Sequence, residues 1–166
     1  MNKILSASAA ILVLSLFSTL QAANSIGSAG SPAPAWKITD LTGKTLASED
    51  YTNQVLVLDF WATWCPPCRA EIPGLIELQK TYEKQGVQVV GISLDQGEVA
   101  EVKSFVKKYG MNYPVAIGDE KIQQAFGGFD AIPVTLVIDR QGNIAHRHLG
   151  LVEKVTLENE IKALLK

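Results

Sequence analysis

The sequence predicts an α/β fold in which a mixed sheet is flanked by helices. Its 166 residues, 47% hydrophobic and 19% charged, suffice for one globular domain with a proper core. Short apolar runs of strand length alternate with longer segments of helical periodicity, the pattern of a layered α/β domain with helices on both faces. The predicted strands beyond the N-terminal part are residues 55–60, 87–93, 113–117, 134–138 and 144–149.

The domain is predicted to open with a hairpin and a buried strand. Residues 36–39 and 44–47 flank Leu41-Thr42-Gly43, which is typical of a small β-hairpin. Residues 55–60 are apolar except for Asp59, as expected of a central strand buried on both faces.

Helices are predicted between the strands. The first follows the cysteines and stops at Gly86, and Pro73 within it should remove a backbone hydrogen bond and kink the axis. A second covers residues 99–109 and ends at Gly110. A short helix covers residues 120–126, and a closing helix carries Leu157 and Ile161. Residues 139–143 form a turn between two antiparallel strands.

The N-terminal segment predicts export. Lys3 precedes a stretch without charge from residue 4 to 20, and the small or polar residues Gln21, Ala22 and Ala23 follow. We interpret residues 1–22 as a cleaved signal peptide, with an uncleaved membrane anchor as the alternative. Gly, Ser, Ala and Pro dominate residues 23–35, which predicts a flexible linker before a domain over residues 36–166. We expect a periplasmic protein.

The charge of the chain argues against a nucleic-acid partner. The formal net charge is −2 at pH 7, and no run of like charges stands out. Binding to nucleic acid usually requires a basic surface that displaces counterions from phosphates.

The only two cysteines, Cys65 and Cys68, form a pair separated by two prolines. A bridge that closes so short a loop contributes little stability, so the pair suggests chemistry. Cys65 falls at a predicted helix N-terminus, where free N–H groups and the dipole favour a thiolate. Cys68 lies one turn further on, within reach of a disulfide, and the prolines suit the first turn.

Two other interpretations of the cysteines stay open at this point. One is an inert structural disulfide. The other is a zinc site completed by His146 and His148, which point to one face of a predicted strand. Alternation with Arg147 is explained more simply by a solvated strand face.

Two motifs carry a family resemblance. Residues 59–73, with the sequence Asp-Phe-Trp-Ala-Thr-Trp-Cys-Pro-Pro-Cys-Arg-Ala-Glu-Ile-Pro, resemble the active-site segment of the thioredoxin superfamily. They are most similar to the bacterial exported TlpA/ResA/DsbE-like thioredoxins. Residues 131–135 resemble the cis-proline loop of that family. The resemblance covers about residues 34–166 and implies a thioredoxin-like sheet with an N-terminal hairpin and a helix–strand insertion between residues 94 and 118.

The resemblance implies a thiol-disulfide oxidoreductase whose only redox group is its own disulfide, with no other cofactor. Cys65 would be the exposed nucleophile and Cys68 the resolving thiol. The Ile132–Pro133 bond would be cis, the backbone of Ile132 would pair with a substrate strand, and Trp64 would cover the site. The implied substrate-binding residues are Trp64, Pro66, Pro67, Ile132 and Pro133.

Two acids are candidates for the proton acceptor. Asp59 interrupts a buried run, so its pKa should be raised. Thioredoxins are thought to use an acid here, whereas TlpA/ResA-like chains often use one at the position of Glu71. Since both are present, the acceptor stays open, and Glu71 could instead be a first-turn acid favoured by the helix dipole.

We expect a monomer that reduces disulfides in selected exported proteins, apocytochrome c among the candidates, and that receives electrons from a membrane reductant of the DsbD/CcdA kind. A disulfide oxidase or isomerase is the alternative, because similar cysteine pairs span about −270 to −120 mV. A peroxiredoxin-like peroxidase would have Thr and Pro where this chain has Ala62 and Leu58. A copper chaperone of the Sco type would have wider cysteine spacing. A metal-binding or purely binding module without turnover is the last alternative.

Overall fold

The computed structural model describes residues 29–166. The predicted signal peptide and the first part of the predicted linker lie outside the described residues. The elements follow in the order β1 Lys37–Thr39, β2 Thr45–Ala47, β3 Val55–Trp61, α1 Pro66–Tyr82, β4 Val87–Ser93, α2 Val99–Tyr109, β5 Val115–Ile117, α3 Glu120–Ala125, β6 Val134–Ile138, β7 Ile144–Leu149 and α4 Lys154–Leu164.

A five-stranded mixed sheet has the order β5-β4-β3-β6-β7, and β1 and β2 form a separate antiparallel hairpin. The pairs β3–β4 and β4–β5 are parallel, whereas β3–β6 and β6–β7 are antiparallel. Every residue of the central strand β3 is buried. The predicted α/β fold with an N-terminal hairpin and a helix–strand insertion is therefore confirmed.

The alternation of side chains along β3 divides the core into two layers. Val55, Val57 and Trp61 face α1, α2 and α4, and their cluster includes both cysteines. Leu56, Leu58 and Phe60 face the opposite way, where α3 and the hairpin cover the sheet. The covering residues on that side include Trp36, Leu46, Ile122 and Phe126.

Residues 30–41 span the face of the sheet that carries α3. The backbone N–H groups of Gly30 and Ala33 donate to the carbonyls of Ile144 and Gly142, at 2.6 and 2.9 Å. Further along, Leu41 donates to Val115 at 2.8 Å, on the opposite edge of the sheet. The last residues of the predicted linker thus bond to the domain, because the turn before β7 offers them free carbonyls.

Two elements differ in detail from expectation. The strand predicted over residues 113–117 begins only at Val115, because Pro114 has no N–H for a strand ladder. Helix α1 continues through Pro73 to Tyr82 and passes into a short 3-10 turn before Gly86.

Across residues 29–166 no helix is both long and apolar enough to cross a membrane.

Candidate active site

The two cysteines form a disulfide at the start of α1. Cys65 is the N-cap residue, and Cys68 lies in the first turn with its Cα 5.3 Å from that of Cys65. The backbone N–H of Cys68 donates to the Cys65 sulfur at 3.2 Å. Pro66 and Pro67 occupy the first two helical positions, where a missing N–H costs nothing. The helix N-terminus therefore directs one backbone donor, the N–H of Cys68, at the Cys65 sulfur.

Both sulfurs lie inside the protein surface. Cys65 is 3% exposed and Cys68 is fully buried. The prediction of an exposed Cys65 was wrong for the disulfide form, because the residue packs in the apolar cluster beneath α1. Its Sγ also lies 3.6 Å from the carbonyl oxygen of Ile132.

The loop that faces the disulfide contains a cis bond between Ile132 and Pro133. Pro133 is buried, whereas Ile132 is half-buried beside Cys65. The Pro133 carbonyl accepts a hydrogen bond from the backbone of Gly150 at 2.8 Å. The structure thus brings this predicted loop next to the cysteines.

Three of the residues expected to bind substrate lie on the surface. The side chain of Trp64 is 65% exposed, and Pro66 and Pro67 are exposed as well. Trp64 directly precedes Cys65 in the chain, and its role as a cover over the disulfide stays a prediction.

An apolar rim, defined as Leu149, Leu151 and Val155, was missed by sequence reasoning. These side chains are 68%, 52% and 60% exposed. Leu149 ends β7, Leu151 lies in the connection to α4 and Val155 lies in the first turn of α4. The backbone of this connection bonds to Pro133 through Gly150. The available signal was two leucines around a glycine directly after a strand.

A polar anchor before Cys65 was also missed. Asp95 accepts hydrogen bonds from the Thr63 backbone at 3.0 Å and from the Ser93 hydroxyl at 2.7 Å, and the Thr63 hydroxyl donates to it too. These bonds fix the segment between β3 and α1 against the end of β4.

Asp59 is fully buried on β3, as predicted. Burial, and next the negative charge of Glu71, raise the pKa of Asp59 well above its usual value. The hydroxyl of Thr135, its neighbour on β6, donates to Oδ1 at 3.4 Å and opposes this shift. Burial therefore favours the protonated form of Asp59.

Glu71 is also buried and is more than a first-turn acid. Burial raises the pKa of Glu71 to about 7, although the backbone N–H of Val152 donates to Oε1 and lowers it in part. A cavity of about 190 Å³ opens between α1 and the start of α4, and Glu71, Gly74, Leu151 and Lys154 are among its lining residues. Glu71 therefore borders a path toward solvent.

The histidines do not face the cysteines. His146 and His148 point to one side of β7, as predicted, where they contact the two carboxylate oxygens of Glu160 on α4 at 3.5 and 3.0 Å. In residues 29–166, no cluster of three or more His, Cys, Asp or Glu side chains is arranged to hold a metal ion.

A disulfide at a helix N-terminus, packed against a cis-proline loop and above buried carboxyls, has the parts needed for thiol–disulfide exchange. Together with the fold, this site defines a thiol-disulfide oxidoreductase with a thioredoxin fold. The family assignment follows from sequence. Residues 29–147 match the AhpC/TSA family, and the chain belongs to that family.

Comparison with individual proteins supports the same class. The chain is 36% identical to the thiol-disulfide oxidoreductase ResA of Bacillus anthracis over 137 residues. These matched residues cover 81% of this chain and 78% of the relative. A thioredoxin-family thiol:disulfide interchange protein from Chlorobium tepidum TLS is 33% identical, with a TM-score of 0.76 over 82% of this chain and 97% of that one. A secreted thiol-disulfide isomerase from Corynebacterium glutamicum is 28% identical, with a TM-score of 0.74 over 80% and 84% of the two chains.

Proposed function

We propose that this protein is an exported reductase that opens disulfides in selected exported proteins. The observation that carries the proposal is the Cys65–Cys68 disulfide at the N-terminus of α1, 3.6 Å from the carbonyl of Ile132. This pair can hold two electrons and return them without any other cofactor.

In the first step, the Cys65 thiolate attacks one sulfur of a substrate disulfide. A mixed disulfide forms, and the other substrate sulfur leaves as a thiolate. The N–H of Cys68 and the positive end of the helix dipole stabilise the attacking thiolate. Cys68 is fully buried, whereas Cys65 keeps 3% of its surface exposed, so Cys65 is the more accessible of the two cysteines.

In the second step, Cys68 loses its proton and attacks the Cys65 sulfur. The substrate is released as a dithiol, and the enzyme is left as a disulfide, oxidised by two electrons. Glu71 is the better proton acceptor, because its pKa of about 7 matches the working pH. Asp59 is fully buried, and its raised pKa favours the protonated form, which cannot accept a proton. The cavity beside Glu71 gives the proton a route to solvent.

The substrate would bind where backbone and apolar surface meet. An extended segment can pair with the backbone of Ile132, next to Pro133, and place its sulfur over Cys65. Trp64, Pro66 and Pro67, next to the cysteines in the chain, offer exposed apolar surface. The apolar rim, joined to Pro133 through Gly150, offers more. Most of this surface is side-chain surface without charge, which suits unfolded polypeptides.

The direction and the location complete the proposal. No histidine lies between the cysteines to stabilise the thiolate as a strong oxidant requires, and ResA-like resemblance favours a reductant. We propose a periplasmic monomer, exported by residues 1–22, that is reduced by a membrane donor of the DsbD/CcdA kind. Apocytochrome c is the candidate substrate.

The roles of the cysteines can be tested by trapping. Cys68→Ser should accumulate mixed disulfides with exported proteins in the source cell, whereas Cys65→Ser should form none and lose insulin reduction. Trapped partners identified by mass spectrometry would test the cytochrome proposal directly. If Cys65→Ser kept its activity and Cys68→Ser trapped nothing, the assigned roles would be wrong.

The direction can be tested by the reduction potential. Equilibration of the purified protein with glutathione should give a value nearer to about −270 mV than to about −120 mV. A value near the upper limit, with Cys65–Cys68 oxidised in growing cells, would make the protein an oxidase. Fractionation of the cells should place a mature chain that begins near Ala23 in the periplasm.

A further inference from the structure

Four buried polar atoms close to the disulfide have no hydrogen-bond partner among residues 29–166. They are Asp59 Oδ2, Trp61 Nε1, Glu71 Oε2 and the hydroxyl oxygen of Tyr113. Each residue is at most 5% exposed. Buried polar groups are nearly always satisfied, by protein or by ordered water. The set is complementary, because the indole and the phenol can donate and the carboxyls can accept.

The strand register places three of these residues together. Asp59 on β3 is paired with Gly91 on β4, and Trp61 lies two residues further along β3, on the same face as Asp59. A Cβ atom at Gly91 would come within 2.9 Å of Trp61 Nε1 and 3.4 Å of Tyr113 Cε2. The indole nitrogen and the phenol ring therefore lie over Gly91, beside Asp59. Only glycine leaves room for this arrangement.

Glu71 approaches the same face of the sheet from α1. Burial, and then the negative charges of Asp59 and Glu71, raise the pKa of Tyr113 well above its usual value. The phenol is thus within electrostatic range of both carboxyls, although it bonds to neither directly. The titratable groups that face this cluster are Asp59 from β3, Glu71 from α1, Tyr113 before β5 and the cysteine pair, while β6 contributes the hydroxyl of Thr135.

We propose that Tyr113 is a positioning residue for the two carboxyls. Its hydroxyl and the indole N–H of Trp61 hold a buried water molecule that hydrogen-bonds to Asp59 and Glu71. A buried water usually makes about three hydrogen bonds, which these four atoms supply. The inference rests on the proposed function, in which a carboxyl accepts the Cys68 proton. The water would connect Asp59 with Glu71 and so let a proton pass between them.

The test removes one oxygen atom. Tyr113→Phe keeps the ring that packs on Gly91 and deletes only the donor. Tyr82→Phe is the matched control, because Tyr82 belongs to the same apolar cluster but donates to Glu158 at the far end of α1. The carboxyl carbons of Asp59 and Glu71 are titrated by NMR in the oxidised form of each variant. Loss of a donor to a carboxylate raises the carboxyl pKa, so Glu71 in Tyr113→Phe should titrate about one pH unit higher.

The reaction supplies a second readout. In Tyr113→Phe the acid limb of the rate of mixed-disulfide resolution should move to higher pH, whereas a merely structural role would lower stability and leave the limb in place. Trp61→Phe removes the other donor and should shift the titration in the same direction. Unchanged titration of both carboxyls in the folded Tyr113→Phe and Trp61→Phe variants would overturn the inference. The titration needs no substrate, so a failure of insulin reduction would count against the proposed function and leave this test intact.

Discussion

Two carboxyl groups with different surroundings lie behind one disulfide. Asp59 is enclosed in the central strand, where burial raises its pKa well above the usual value, whereas Glu71 contacts the N–H of Val152 and borders a cavity. The surroundings of the two carboxyls, and not their residue type, therefore set the difference between their pKa values.

Replacing each acid by its amide separates their roles. Glu71→Gln should slow resolution of the mixed disulfide by about 10²-fold or more at pH 7, because a general base contributes about that factor. Asp59→Asn should have a small effect, since burial favours the neutral form of the native acid. Both effects should shrink at high pH, where Cys68 ionises unaided. Single-turnover measurements across pH check this, and a large effect of Asp59→Asn alone would transfer the role to Asp59.

Glu71 should also make the stability depend on pH. Its pKa is raised in the folded state from 4.5 to about 7, so the folded protein binds more protons than the unfolded chain between these values. Stability from this group is complete below about pH 4.5 and is lost as the pH rises through 7. Relative to the wild type, Glu71→Gln should gain about 1 to 2 kcal/mol between pH 5 and pH 8, a figure reduced for partial solvent screening. Urea unfolding of both proteins at pH 5 and pH 8 measures this gain. The same difference in the free energy of unfolding at the two pH values would contradict the prediction.

The sequence predicted some of the site residues and not others, for physical reasons. Asp59 could be found because a charge within an apolar run is conspicuous. The burial of Glu71 could not, since it depends on Val152, which is 81 residues away. Tyr113 was assigned only to a strand, because a pattern along one strand does not show what lies over its neighbour. The roles given to Ile132 and Pro133 came from family resemblance alone.

Element boundaries were predicted best where the backbone itself ends them. Gly86 and Gly110 adopt left-handed conformations that terminate α1 with its 3-10 turn and α2, and β4, β6 and β7 have the predicted limits. The strand at residues 113–117 was predicted too long, because apolar character extends past the hydrogen bonds that Pro114 forbids. Contacts between elements have no comparable local signal in the sequence.

The junction of β4, β5 and α3 should tolerate no extra methyl group. A Cβ at Gly118 would lie 2.5 Å from Ile92 Cγ2 and 3.1 Å from Leu94 Cδ2. Gly118→Ala should therefore lower the free energy of unfolding by about 1 to 3 kcal/mol. Gly97→Ala is the control, because its nearest neighbour is the flexible end of Glu101, 3.3 Å away. Urea unfolding of both variants checks this, and equal stability would show that the junction can relax.

At the scale of the whole molecule, residues 30–36 are part of the domain. Residues 30–33 bond to the turn before β7, and Trp36 and Leu46 fill the layer beneath β3. Composition alone predicted a linker here, because Gly, Ser and Pro are common in flexible chain as well as in ordered turns.

Shortening the chain measures what this segment contributes. A chain that begins at Trp36 should unfold at a lower urea concentration than one that begins at Ala29, because it loses the hydrogen bonds from Gly30 and Ala33. Because the edge of β7 is then unpaired, the shorter chain should also associate at high concentration, which analytical ultracentrifugation measures. Identical unfolding midpoints and sedimentation for the two chains would show that the contacts carry no free energy.

The path of the N-terminal segment also bears on which foreign strands this protein accepts. Unpaired sheet edges attract extended polypeptide, because their backbone N–H and C=O groups have no partners. Here the segment from residue 30 to 41 occupies both edges, at Ile144 on β7 and at Val115 on β5, and β7 carries Arg147 and two histidines further along. The bonds of residues 30–41 thus leave fewer free backbone groups at these margins for an extended chain to pair with. Addition of a foreign strand to either edge of the sheet is therefore disfavoured.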